Sequence, residues 1–162
     1  MEPKTKVHAE EGRQDLYITR EFDLPVELLF RAYTEADLVE QWMRTKVLKM
    51  ESKKHGSYQF ETRDPQGNVV FRANGAIHEF SPDRKITRTF EMENLPDGRH
   101  GGTFGVQLEL LDFGKLTDNT SKLTIHTIYE SAENRDRNLK LPFARGINMA
   151  HNRMEAIIGK LI

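Results

Sequence analysis

The sequence predicts an α+β fold in which a strongly curved antiparallel sheet of about seven strands wraps around one long C-terminal helix. Between residues 57 and 129, apolar and polar side chains alternate with a period of two, and short turns separate the segments. This pattern is typical of an antiparallel sheet with one face in water. From about Glu133 the period becomes helical, and the long piece after Pro142 carries an apolar stripe that can cover the apolar face of the sheet.

The composition excludes several classes of protein and of binding site. The chain has 162 residues, no cysteine and a formal net charge of −1. The length fits one domain, and the lack of cysteine excludes disulfides and thiolate metal sites. Acidic and basic side chains are interspersed, so we expect no nucleic-acid partner, which would need a concentrated basic face. No apolar run could span a membrane and no signal-peptide core is present, so we expect a cytoplasmic protein without a membrane partner.

The N-terminal third is predicted to hold an arm, one strand and two short helices. We expect residues 1–14 to form a flexible arm and residues 15–162 to form a single domain. The first strand follows the arm, with Leu16, Ile18 and Phe22 on one face. Further elements are marked by helix-start signals. These are Pro25 at the first position of one helix, and Thr34 with Asp37 as a capping box for the next.

About six strands should follow the two helices, ending near residue 129. Arg88 stands on an otherwise apolar strand face, where a guanidinium must find a partner or reach water. The predicted inner-face residues are Tyr58, Phe60, Ile86, Phe90, Met92, Phe104, Val106, Leu108, Leu110, Leu123, Ile125 and Tyr129.

The last helix is predicted to begin near Pro142, because proline breaks the helical pattern that starts near Glu133. Its apolar stripe also contains His151, a titratable ring on a face that is built to be buried. The apolar members of the stripe are Phe143, Ile147, Ala150, Met154, Ile158 and Leu161.

Two segments carry a resemblance to a known superfamily, namely "LYITREFDLPVELLFRAYTEADLVEQW" and "HGSYQFETRDPQGNVVFRANGAIHEFSPDR". They resemble the START-like, helix-grip superfamily, also called SRPBCC. Within it they are most similar to the branch named after the activator of heat-shock-protein ATPase, whose members are also labelled polyketide-cyclase-like. The resemblance covers about residues 15–162. The chain departs from the branch pattern at Met43–Thr45, where Gly-Pro is common, and at His55 and His151.

The resemblance implies a cavity between the concave face of the sheet and the last helix, which is the default ligand site. Core packing is the alternative reading for each apolar wall residue. Arg20 is expected to form a structural ion pair. The predicted ligand-binding residues are His151, Arg88, Trp42, Tyr58, Phe60, Phe71, Phe90, Phe104, Tyr129, Ile147 and Met154, with Met92 and Leu108 as further wall candidates.

Two polar candidates leave alternatives open. His151 is either a core histidine bonded to a neighbour or a polar contact for a ligand. Arg88 either forms an ion pair or reaches the sheet rim, or it binds an anionic ligand. We find no catalytic motif and no histidine spacing suited to a metal, so we expect no catalytic residue, no metal and no cofactor.

Three functional hypotheses follow from these observations. The first is non-enzymatic binding of a small hydrophobic or amphipathic molecule in the cavity. The second is a co-chaperone-type module with a protein partner. The third is a cyclase, dehydratase or hydrolase that acts on a polyketide-like substrate through His151 and Arg88. An open interior favours the first or third, and a filled interior favours the second. A weak homodimer through free strand edges is a further alternative.

Overall fold

A computed structural model describes residues 2–95 and 105–162, and these residues form an α+β fold as predicted. The elements in chain order are β1 (Lys6–His8), β2 (Asp15–Phe22), α1 (Val26–Thr34), α2 (Ala36–Met43), β3 (Lys46–Met50), β4 (Ser57–Arg63), β5 (Val69–Ser81), β6 (Lys85–Met92), β7 (Val106–Lys115), β8 (Ser121–Ile128), α3 (Ala132–Lys140) and α4 (Phe143–Ile158), with a 3₁₀ turn at Gly159–Leu161.

All described strands belong to one curved, open antiparallel sheet in the order β1-β2-β8-β7-β6-β5-β4-β3. The strands after α2 form a meander, in which each strand pairs with the next. Strand β2 then joins the meander beside β8. The helix α4 lies against the concave face, so the predicted sheet wrapped around a long C-terminal helix is confirmed.

The described sheet has eight strands, where about seven were predicted. The additional strand is β1, which lies inside the segment expected to be a flexible arm, and Lys6 pairs with Thr19 there. Thr5, just before it, is buried. A three-residue strand with a single apolar side chain is too short to show an alternation. Strand β3 is one of the six strands found after the helices, but the sequence did not mark it, because its two lysines interrupt the alternation of apolar side chains.

Strand β7 was predicted with the wrong face inward. Leu111 and Phe113 are buried, whereas Val106 and Leu108 are 38% and 36% exposed. The sequence from Leu108 to Leu111 contains three leucines in four residues, so both phases of the alternation looked apolar. Phe104, the first residue of the predicted face, lies outside the described residues.

The capping box predicted from Thr34 and Asp37 is absent. Thr34 is the last residue of α1, and its hydroxyl donates to the carbonyl oxygen of Phe30 at 3.0 Å. Glu35 precedes α2 without a side-chain cap bond. A threonine still inside a helix bonds back to the preceding turn, which makes it unavailable to the next helix.

The break at Pro142 is confirmed, since α3 ends at Lys140 and α4 begins at Phe143. Ser131 caps α3 by accepting a hydrogen bond from the backbone N–H of Asn134. The apolar stripe of α4 reaches only to Ile158, because the chain then tightens into a 3₁₀ turn and leaves Leu161 exposed. No helix in the described parts of the chain is long and apolar enough to cross a membrane.

Candidate functional site

A cavity of about 490 Å³ lies between the inner face of the sheet and the N-terminal half of α4. Its wall is mostly apolar, and a few polar side chains project into it. A Cβ atom built at Gly146 of α4 would meet nothing within 4 Å, so the space beside this part of the helix is open. The residues predicted as site or wall that line this cavity are His151, Arg88, Trp42, Phe60, Phe71, Phe90, Met92, Tyr129 and Ile147.

The cavity wall does not include Tyr58, Met154 or Leu108. The hydroxyl of Tyr58 donates to the carbonyl oxygen of Thr89 at 2.6 Å, and its ring packs on Phe60. Met154 is completely buried one turn beyond the cavity. Leu108 belongs to the outer face of β7. These three residues therefore contribute to packing or to the outer surface, and the position of Phe104 lies outside the described residues.

Five polar residues on the wall were not foreseen, namely Gln107, Glu109, Thr127, Asn138 and Tyr33. The first two were missed because β7 was given the wrong face. Once Leu111 and Phe113 are taken as inward, the alternation points to Glu109 and Gln107 as well. Asn138 comes from α3, whose polar sequence gave no indication of a buried face.

Arg88 forms an ion pair inside the cavity, as one alternative had predicted. Its Nε donates to Oε1 of Glu109 at 2.8 Å, and the two side chains are only 13% and 16% exposed. The guanidinium also lies over the ring of Tyr58 at 5.2 Å and that of Tyr33 at 5.8 Å. These contacts fix the group in place. Because the pair consists of one cation and one anion, it adds no net charge to the cavity wall.

His151 is completely buried and both of its ring nitrogens have partners. Nδ1 lies 2.9 Å from the hydroxyl oxygen of Thr5, and Nε2 lies 3.0 Å from the hydroxyl oxygen of Tyr33. Burial, together with the nearby charge of Arg20, lowers the pKa of His151 to about 3. The ring is therefore neutral near pH 7. A bonded core histidine is the arrangement present, although His151 also belongs to the cavity wall.

Arg20 belongs to the same buried network, and the expected structural pair is present. Its Nη1 donates to Asn152 at 2.6 Å and to the hydroxyl of Thr5 at 3.2 Å, while Nη2 lies 3.5 Å from Glu155. The backbone N–H of Thr5 donates to the side chain of Asn148 at 3.0 Å. These bonds attach the segment before β1 to α4. The N-terminal segment therefore helps to build the site.

The described residues contain no group of three or more side chains that could hold a metal ion. Among the described residues, those on the cavity wall that carry a charge are Arg88 and Glu109. The described part of the site therefore combines a large apolar surface with the Arg88–Glu109 ion pair and several neutral polar groups. Such a wall is suited to holding an uncharged or weakly polar molecule.

The curved sheet, the long C-terminal helix and the cavity between them define the helix-grip class of α+β proteins. Within this class, the chain belongs to the family described as activator of Hsp90 ATPase homolog 1-like protein, whose model matches residues 23–159. The resemblance drawn from the sequence is thereby confirmed. A comparison with curated proteins gives no match.

Solved structures support the same fold. Protein Ms6760 from Mycobacterium smegmatis is 19% identical, with a TM-score of 0.80 and coverage of 94% of this chain and 95% of that one. A solution structure from Arthrobacter aurescens is 16% identical, with a TM-score of 0.82 and coverages of 96% and 91%. A crystal structure from Rhodobacter sphaeroides is 17% identical, with a TM-score of 0.81 and coverages of 96% and 99%. Identities this low establish the fold alone.

Proposed function

We propose that the protein binds one small hydrophobic or amphipathic molecule in the cavity beneath α4, without transforming it chemically. The observation that carries this proposal is the cavity itself, whose volume of about 490 Å³ falls in the usual range for small-molecule sites. Its aromatic and aliphatic wall would supply affinity through burial of apolar surface. The few polar groups would orient the ligand.

The arrangement of His151 speaks against an enzyme that uses this residue as its base. A general base must reach the proton that it removes, and both nitrogens of His151 are already bonded to protein hydroxyls. The Nε of Arg88 is likewise engaged with Glu109. An enzyme that used His151 and Arg88 would therefore first have to break a hydrogen bond of His151 and the bond between Arg88 and Glu109.

The co-chaperone alternative rests on the family description, which names an activator of the Hsp90 ATPase. A module that acts only through its surface gains nothing from an open interior, because unfilled space costs packing energy. The cavity is therefore the feature that favours ligand binding over a purely surface role. If the protein bound no small hydrophobic molecule, that result would favour the co-chaperone alternative.

The test uses a neutral fluorescent ketone, 6-propionyl-2-(dimethylamino)naphthalene, as a probe. We expect it to bind with a stoichiometry near one and with the blue-shifted emission of an apolar site. The substitution Ala150→Trp places an indole in the cavity, because Ala150 lines it, and should abolish binding. The control is Met149→Trp, which adds the same side chain at the adjacent, exposed position of α4. Equal binding by both variants would overturn the proposal.

A further inference from the structure

A short chain of hydrogen-bonding groups runs from the protein interior to the cavity. It starts at the guanidinium of Arg20, passes through the hydroxyl of Thr5 and the ring of His151, and ends at the hydroxyl of Tyr33. Both Tyr33 and His151 lie on the cavity wall, but His151 has no exposed surface, whereas Tyr33 is 6% exposed. The phenol is therefore the group through which this chain can meet a ligand.

The direction of each bond follows from counting hydrogens. Arg20 can only donate, so the oxygen of Thr5 accepts from it. A neutral His151 carries one N–H, on either Nδ1 or Nε2. If Nδ1 carried it, Thr5 would accept twice, and its own buried hydroxyl hydrogen would have no partner among the described residues. Leaving a buried donor unsatisfied is unfavourable, so this tautomer is the poorer one.

The other tautomer leaves neither Thr5 nor His151 with an unpaired hydrogen. Thr5 then donates to Nδ1 of His151, and Nε2–H donates to the oxygen of Tyr33. The hydrogen of the Tyr33 hydroxyl is the one left over. His151 is its sole hydrogen-bond contact within residues 2–95 and 105–162. This hydrogen is therefore free to point into the cavity, where a ligand or a water molecule can accept it.

We propose that Tyr33 presents a fixed hydroxyl donor to the cavity, and that the ligand is an uncharged apolar molecule with an acceptor oxygen, such as a ketone or an ester. This inference rests on the proposed function and adds the chemical class of the ligand. A carboxylate ligand is disfavoured, because Arg88 is already neutralised by Glu109 and His151 carries no charge. A pure hydrocarbon is disfavoured because it leaves the phenol hydrogen unpaired.

An acceptor oxygen is selected more strongly here than it would be in water. The side chain of Tyr33 is buried, and its ring packs against those of Trp42 and Phe113, with centroid distances of 5.2 and 5.8 Å. Burial also raises the pKa of Tyr33, which keeps its proton in place. A site built to hydrogen-bond an oxygen rejects analogues that lack it, because its own buried group is then left without a partner.

The first experiment compares two probes of similar shape, the naphthyl ketone used above and 2-(dimethylamino)naphthalene, which lacks the carbonyl group. We expect the wild type to prefer the ketone, and Tyr33→Phe to reduce ketone affinity by about tenfold while leaving the other probe nearly unchanged. The control is Tyr58→Phe, a buried tyrosine whose hydroxyl bonds to the carbonyl of Thr89 and does not line the cavity. It should leave the preference for the ketone intact.

A second measurement does not depend on any variant folding. Imidazole ¹⁵N–¹H correlation spectra of the wild type distinguish the two neutral tautomers, and we expect His151 to carry its hydrogen on Nε2. A hydrogen on Nδ1, or equal loss of both probes in Tyr33→Phe, would overturn the inference while leaving cavity binding intact. If the wild type binds neither probe, the proposed function fails, and the tautomer still decides the hydrogen-bond direction.

Discussion

The two halves of α4 carry the same kind of apolar stripe and do different things with it. In the C-terminal half, Met154 and Ile158 are completely buried in a solid core. In the N-terminal half, Phe143 and Ile147 are only partly buried and line the cavity. The side chains of the two halves are similar in size and polarity. The difference therefore comes from what lies opposite the helix.

Opposite the C-terminal half, α1 and α2 fill the space between α4 and the sheet. Their aromatic side chains interlock, with Phe30 of α1 edge-on to Phe113 of β7 at 5.0 Å. Within residues 2–95 and 105–162, no such layer fills the space opposite the N-terminal half, where the cavity lies. An apolar stripe on a helix therefore indicates that this face is covered by other parts of the protein. Whether the stripe packs in solid core or borders a cavity depends on the elements that lie opposite it.

The comparison is tested most directly by removing one side chain from each half. We expect Met154→Ala to lower the free energy of unfolding by about 3 kcal/mol, because it opens a hole in close-packed surroundings. Ile147→Ala should cost about 1 kcal/mol or less, because that side chain already borders empty space. Urea denaturation of both variants measures the two values. Equal losses would mean that the two halves are packed alike.

His151 lies between the two halves of α4. Replacing it should lower the free energy of unfolding by less than Met154→Ala does. His151→Phe leaves the hydroxyls of Thr5 and Tyr33 without their shared partner, which should cost about 2 kcal/mol. A double-mutant cycle with Thr5→Val isolates the bond to Thr5. The coupling should be clearly favourable in thermal or chemical unfolding. Additive losses would show that the Thr5–His151 bond contributes nothing.

Lowering the pH should also reduce the free energy of unfolding through His151, but gradually. The pKa of His151 is lowered in the folded state to about 3, so the unfolded chain binds the proton more readily. The resulting stability is fully present above about pH 6.5 and falls as the pH drops towards 3, with a slope of about 1 kcal/mol per pH unit. His151→Gln cannot titrate and retains hydrogen-bonding groups, so its unfolding free energy should lack this slope between pH 6.5 and 4. An identical slope in both proteins would assign the acid sensitivity to other groups.

The sequence predicted the architecture well, because the architecture depends on patterns that recur over many residues. The alternation that places Leu123, Ile125 and Tyr129 inward and the break at Pro142 are each supported by many neighbouring residues. The errors fall where the signal is short or ambiguous. Strand β1 is only three residues long, and β7 has leucines on both faces.

The polar side of the site was less predictable for a different reason. The sequence marks His151 as unusual, but its partners are Thr5 and Tyr33, which lie 146 and 118 residues away. No local pattern connects residues so far apart. The same holds for Glu109, which becomes the partner of Arg88 only through the register between β6 and β7.

The attachment of Thr5 to His151 also has a consequence for how the protein folds. A contact across 146 residues closes nearly the largest loop that the described chain allows, and its entropic cost is met only after the intervening elements are in place. The meander from β3 to β8 relies on neighbouring strands and can form earlier. We therefore expect the N-terminal strand to dock late, after the transition state. During synthesis, His151 would acquire its threonine partner only once α4 has left the ribosome.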